Sequence, residues 1–403
     1  MELSALTKAR AAELGWTPEF VARLESSTAV SERAIENIVR MHITEERAAK
    51  YVDVIEANPD APYSKFTFKF ANPPTEMGIF AKPGPHGLGS TEINIGTYGH
   101  VPDVWPYEND TPLGSKPQPG AYIPGPYHVI QKAEVWADGV DQLYDRAIRE
   151  RWAAATDIKW AELEEQPDEM ERAVCQICTV FAQHGLAESK IIASWMEKIA
   201  YGFHDMKNFM STHVYDSDRK VEVLRKRALS NGGGLGQMGL GTLYRAWFGA
   251  AKVTDYLTAI DVVYKQYEIV LFELLAEKLP LAVDRDIFAR LAKDSRRHAE
   301  FGLKHLEYYI HYYPNGQEFA GHFLNKAESA LADELNHSHV ETGAITVALA
   351  GGVENLQKGQ ALVRDLRAAQ LRGYLEALDS IGIDRARMVN PGLVSLTQEP
   401  VTA

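Results

Sequence analysis

The sequence predicts an all-α protein built on a four-helix bundle, and three observations carry that prediction. From about Lys132 onward, segments near 140–155, 171–200, 205–229, 243–278 and 284–313 place apolar residues at three- and four-residue spacing. A heptapeptide, Asp216-Ser217-Asp218-Arg219-Lys220-Val221-Glu222, returns 78 residues later as Asp294-Ser295-Arg296-Arg297-His298-Ala299-Glu300. Lys226 and Lys304 fall in the same register, so the shared pattern is Asp-Ser-x-Arg-(Lys/His)-x-Glu-x-x-x-Lys. Between the two copies, the run from Asn231 to Gly241 (NGGGLGQMGLG) cannot continue a helix. Two long helix pairs, each carrying one copy, therefore make a pseudo-symmetric bundle.

The elements follow in order. Thr17-Pro18 starts a helix, with a capping hydroxyl and proline at the first helical position. Apolar spacing then continues through Ile35, Ile38 and Val39 to Val54 and Ile55, and Asn58-Pro59 stops it. Residues 72–127 hold eleven of the 19 prolines and nine of the 30 glycines, which excludes a long helix. Their aromatics (Phe80, Tyr98, Trp105, Tyr107, Tyr122, Tyr127) speak against plain disorder. The segment reads as an extended arm on another surface or as a long surface loop. Two further helices follow near 317–349 and 353–381, split by Gly351-Gly352. The expected organisation is N-terminal helices (1–71), arm (72–131), bundle (132–316) and C-terminal helices with a tail (317–403).

Composition narrows the function classes. Of 403 residues, 42 are Lys or Arg and 55 Asp or Glu, for a formal net charge of −13. That balance excludes a general phosphate-binding surface, so no nucleic-acid partner is expected. No run of about 18 apolar residues exists, so no membrane span is expected either. Two cysteines rule out a disulfide scaffold, and with no basic-then-apolar leader the expected location is cytoplasmic.

The two motif copies resemble those of the ferritin-like di-iron oxygenases, the group that holds ribonucleotide reductase small subunits and bacterial multicomponent monooxygenases. The resemblance covers roughly residues 145–310 and rests on Thr212 to Leu229 and Asp294 to Gly302. It implies a ferritin-like bundle in which Glu and His, three residues apart on each motif helix, bind metal, while a preceding Asp supports the His. Here the ligand positions hold Ser217 and Lys220 in one copy, Ser295 and His298 in the other. Counting about 30 residues upstream for the remaining carboxylates reaches Ala187 and Glu188 in the first half. In the second half it reaches Lys265, with Asp261 and Glu268 a turn to either side. Glu188 and His298 remain of six ligands, with Asp216, Arg219, Asp294 and Arg297 around them.

A two-metal site needs about four carboxylates. The expected pocket is therefore a degenerate one formed by Glu188, Asp216, Ser217, Lys220, Lys265, Asp294, Ser295 and His298, with no cofactor in this chain. Lys220 is expected to pair with Asp216, four residues away, and Lys265 with Glu188 or Asp294. Iron is the alternative cofactor, in a re-ligated site drawing on His184, Glu188 and His298, or on Glu222 or Asp261. His184 with Glu188, and His213 with Asp216, share helix faces, as ligands or as hydrogen-bonded polar residues. Gly234 to Gly239 fits the dinucleotide glycine pattern, but a helix precedes it, so a flexible interhelical loop is expected. Cys175 and Cys178 read as packed thiols, and Tyr215, Tyr264 and Tyr267 as core or redox tyrosines.

Three functions compete. The first is a metal-free structural or regulatory subunit of an oxygenase system, a homo-oligomer or a partner of a metal-bearing homologue. The second is a stand-alone oxygenase acting on a small organic molecule. The third is metal-free redox chemistry centred on a tyrosine.

Overall fold

The computed structural model describes residues 2–57, 75–107, 109–118, 120–122 and 127–398. It divides into two units, Met1–Ile79 and Phe80–Ala403.

The first unit contains α1 (Ala5–Glu13), α2 (Pro18–Ser26), α3 (Glu32–Arg40) and α4 (Glu45–Ala57). Ser4, Thr17 and Ser31 cap the first three helices, each side chain accepting a backbone N–H three residues on. Trp16, Phe20, Leu24, Ile35, Ile38, Val39 and Val52 form the core. The spacing that read as one continuous run from Thr17 to Ile55 is broken twice, because Ser27 is extended and His42 takes a positive φ of 51°. Periodicity survives a tight turn, so it cannot by itself reveal one. Asn58-Pro59 lies outside the described residues.

The second unit opens with the arm from Phe80 onward. Among its described residues the only α-helix is the single turn α5 (Ser90–Ile93). Its aromatics divide. Trp105 is buried, whereas Phe80 and Tyr122 are 83% and 84% exposed. The arm is anchored instead by polar contacts and one indole. Asp145 accepts from the Ser90 N–H at 3.0 Å, Asn94 donates to Asp205 at 2.9 Å, and Trp105 packs on the backbone at Gly202.

α6 (Val140–Glu150), α7 (Asp168–Met196) and α8 (His204–Ser230) follow. The expected helix 243–278 is four pieces: α9 (Tyr244–Phe248), α10 (Val253–Leu257), a π-helical turn (Thr258–Tyr264) and α11 (Lys265–Lys278). Gly249 ends α9, and the π turn widens the helix just before the buried centre, a common place for such an insertion. α12 (Ala282–Tyr312) completes the bundle. The expected helix 317–349 breaks at Ser338 into α13 (Gly316–His337) and α14 (His339–Ala350). α15 (Leu356–Asp379) and α16 (Pro391–Ser395) close the chain, with Gly351 and Gly352 at positive φ between α14 and α15.

α7 packs along α8 and α11 along α12, each pair joined by a short connector and so antiparallel. This is the ferritin-like arrangement of two helix hairpins around a common interior. α14 and α15 cover the outer faces of α7 and α11. Among the described residues no helix is long and apolar enough to cross a membrane. The Asn231–Gly241 run is not a loose loop: Thr179, Gln176 and Gln183 of α7 accept the N–H groups of Gly236, Gln237 and Gly239, each at 2.8 Å.

The closest backbone approach yields a prediction. A Cβ added at Gly202 would sit 1.8 Å from the Trp105 ring. Gly202→Ala is therefore expected to destabilise by about 1–3 kcal/mol, the usual cost of overpacking, as read by chemical denaturation.

Candidate functional site

The repeat places its charges by helix geometry. Asp and Arg three residues apart share a face, so α8 turns Asp216 and Arg219 inward and α12 does the same with Asp294 and Arg297. The four side chains then cross. Arg219 Nη2 donates to Asp216 Oδ1 at 2.6 Å and to Asp294 Oδ2 at 2.7 Å. Arg297 Nη2 donates to Asp294 Oδ1 at 2.8 Å and to Asp216 Oδ2 at 2.6 Å. Each arginine bridges both aspartates, and exchanging the helices maps the ring onto itself. Asp216 and Asp294 thus occupy equivalent positions, as the repeat requires. Trp152 seals this layer, donating from Nε1 to Asp294 Oδ2 at 3.0 Å.

A second layer lies beside it. Lys220 Nζ reaches Glu188 Oε1 and Glu268 Oε1, both at 2.7 Å. Lys265 Nζ reaches Glu188 Oε1 at 3.0 Å and Oε2 at 2.9 Å, and Glu268 Oε2 at 2.5 Å. Ser217 donates to Glu188 Oε2 at 3.1 Å, and Ser295 to Glu268 Oε2 at 2.7 Å. Tyr264 donates to Glu268 Oε1 at 3.0 Å. Every carboxylate oxygen of this layer accepts two hydrogen bonds. All these groups are buried, with Glu188 at 0% and Glu268 at 1% exposure. Burial alone would raise the Glu268 carboxyl, but Lys220 and Lys265 outweigh it and hold it well below the usual carboxylate range. Burial likewise opposes charge on Lys265, and Glu188 and Glu268 hold its ammonium above the ordinary value.

All eight residues expected in the pocket come together, with two corrections. Lys220 does not pair with Asp216; it bridges the two glutamates, while Asp216 serves both arginines and lies 3.1 Å from His298 Nε2. Lys265 does pair with Glu188, but Glu268, not Lys265, is the counterpart of Glu188, since each of the two glutamates takes a motif serine. The fixed count landed one turn away because the connector after α11 spans 279–281 and that after α7 spans 197–203. Motif spacing carries no record of that difference.

The expected re-ligated set does not assemble. His184 Nδ1 lies 2.6 Å from the Tyr264 hydroxyl, and His298 faces Asp216. Glu222 is half-exposed and pairs with Lys226 on the surface. Tyr215 is 52% exposed. Asp261, in the π turn, is fully buried, with Oδ1 3.6 Å from His213 Nε2 and neither oxygen hydrogen-bonded to the protein. Burial pushes its carboxyl well up and pushes His213 and His298 well down. The His213 and His298 rings stack at 3.6 Å between centroids. Cys175 and Cys178 are buried free thiols.

No protein-family model matches the chain, and no curated protein matches it. Solved structures similar to the chain include two that share a cofactor. One is a variant of an R2-like ligand-binding oxidase with an aerobically reconstituted Mn/Fe cofactor, 18% identical over 61% of this chain and 94% of that one, with a TM-score of 0.45. The other is an R2-like ligand-binding oxidase with the same cofactor after a long soak, 17% identical over 61% and 94%, with a TM-score of 0.40. The likeness is one of fold. Both proteins carry a cofactor, and on that finding the expectation of none for this chain is corrected. The side-chain arrangement described here does not fit a metal pair: two carboxylates stand where about four are needed, and both are saturated by ammonium and hydroxyl donors. A metal entering this centre has to displace Lys220 or Lys265 from Glu188 and Glu268.

Two outcomes follow. Lys220→Ala or Lys265→Ala leaves buried carboxylates without their counter-charge, and each is expected to cost about 3–5 kcal/mol in denaturant unfolding. The second concerns Glu341 of α14, which burial raises from 4.5 to about 7. Between those values the folded chain holds a proton that the unfolded chain has lost, so this group's stabilisation falls as pH rises through that window. Relative to Glu341→Gln, the parent should lose about 1.4 kcal/mol per pH unit there and nothing further above it.

Proposed function

We propose that the chain is a subunit of a di-iron-type oxygenase system and that its ion-pair centre is structural, holding the bundle in register beside a metal-bearing homologue. The observation that carries this reading is the double bridge of Lys220 and Lys265 across Glu188 and Glu268. Each ammonium occupies the space between two carboxylates, where a cation of the related enzymes' kind would act, and no oxygen is left to take a substrate without breaking a pair. Buried ion pairs of this sort fix geometry more than they add stability. The extended arm supports assembly, since it offers exposed rings at Phe80 and Tyr122.

The test replaces the four charges together. Lys220→Met, Lys265→Met, Glu188→Gln and Glu268→Gln in one chain should fold and be as stable as the parent or more so, by up to about 4 kcal/mol. Oxygen uptake by the system reconstituted with the partner from the native host should be unchanged. A folded variant that abolishes uptake overturns the structural reading.

A second reading, a stand-alone oxidase, has one observation in its favour. Tyr264 is buried, bonded to Glu268 and within 2.6 Å of His184, which is the environment a redox-active phenol needs. Oxygen uptake by the isolated chain, lost in Tyr264→Phe, would select it.

A further inference from the structure

On the side of the C-terminal helices, next to the ion-pair centre, lies a cavity of about 20 Å³. Besides Tyr264 and Glu268 of the centre itself, its polar lining is His184, Tyr267, Glu334, Glu341, Arg367 and Gln370, on α7, α11, α13, α14 and α15. Three of these residues bear a buried polar atom with no hydrogen-bond partner on the protein: His184 Nε2, Tyr267 Oη and Glu341 Oε2. Their exposures are 2%, 4% and 6%. Such atoms are costly to leave unmatched, and three around one small space point to a common partner.

The neighbouring groups are already engaged. Glu334 accepts the N–H groups of Gly241, Thr242 and Leu243 and the hydroxyls of Thr242 and Ser338. Gln370 accepts from Arg367 at 2.9 Å and donates to the Tyr267 carbonyl at 2.7 Å. The space holds one water-sized guest, and a buried water typically makes about three hydrogen bonds.

We propose that this cavity binds a single water molecule, held by His184 Nε2, Glu341 Oε2 and Tyr267 Oη, and that the water completes a proton-conducting chain from Glu341 to Glu268. The direction of each link follows from the bonds present. Tyr264 donates to Glu268, so His184 Nδ1 carries the proton that faces the phenol oxygen, and Nε2 keeps its lone pair. A proton leaving Glu341 passes to the water, which gives one of its own to His184 Nε2. The Nδ1 proton moves to the Tyr264 oxygen as the phenolic proton moves to Glu268. One proton enters and one reaches Glu268, whose pairing with Lys220 and Lys265 returns it along the same chain, and no electron moves. Two environments suit these roles. Burial raises the Glu341 carboxyl to about 7 against the pull of Arg367, so it is partly protonated at neutral pH. Burial and Lys220 bring the His184 imidazole down to about 4, so it stays neutral. The proposal holds whether the ion-pair centre is structural or catalytic.

A high-resolution crystal structure of the full chain tests it. The expected result is one solvent peak within hydrogen-bond distance of His184 Nε2 and Glu341 Oε2. Glu341→Gln should keep the peak, and Glu341→Leu, similar in volume, should lose it. With histidines labelled by ¹⁵N, exchange of the His184 ring proton with solvent should slow in both Glu341→Leu and Glu341→Gln, since neither side chain carries the proton that the chain starts from. No peak in the parent, where other buried waters are resolved, overturns the site. Unchanged exchange in a folded Glu341→Leu overturns the chain of transfer. If the leucine variant does not fold, the parent and glutamine structures decide the site, and exchange in the glutamine variant decides the path.

Discussion

Everything in the bundle is arranged around four cations and four anions buried together. Lys220, Lys265, Arg219 and Arg297 face Glu188, Glu268, Asp216 and Asp294 with almost no water-exposed surface among them. Charges in such surroundings are tolerable only when each is matched in number and in hydrogen bonds. The requirement fixes more than the centre. It sets the rotation of α7, α8, α11 and α12 about their axes, because a slip of one residue on any helix would strand a charge among apolar side chains.

The two layers meet the requirement differently. In the arginine layer, planar guanidinium groups each serve two carboxylates, a geometry that an ammonium could not copy. In the lysine layer, compact ammonium groups sit between carboxylates and are helped by two serines and a tyrosine. The serines are small enough to let both lysines in, so the two serines and the two lysines are not independent features. They form one self-consistent set in which each makes room or charge for another.

Much of this was legible in the sequence. The long helices, the repeat, the inward aspartates and the burial of both lysines all follow from periodicity and spacing that α-helices conserve. What spacing could not supply was anything set between helices. The lysine partners depend on which glutamate a neighbouring helix brings across, and Lys220–Asp216, natural along one helix, lost to Lys220–Glu188–Glu268. The π turn at Thr258–Tyr264 leaves no compositional trace, and a lone Gly249 did not mark the break in 243–278. The glycine run was legible as a break but not as a strap, because its anchors, Gln176, Thr179 and Gln183, lie a helix away.

The partition of the eight charges along the chain bears on how the molecule can form. α7 and α8 bring Glu188, Asp216, Arg219 and Lys220, and α11 and α12 bring Lys265, Glu268, Asp294 and Arg297. Each hairpin is therefore electrically neutral at its inner face before it meets the other. Neither repels its partner by net charge, and neither needs the other to be rid of a bare ion while water still surrounds it. Docking the hairpins is then a dehydration step between two neutral polar faces. Because ions give up their hydration more readily as temperature rises, that step should be favoured by warmth up to the point where the helices themselves begin to fray.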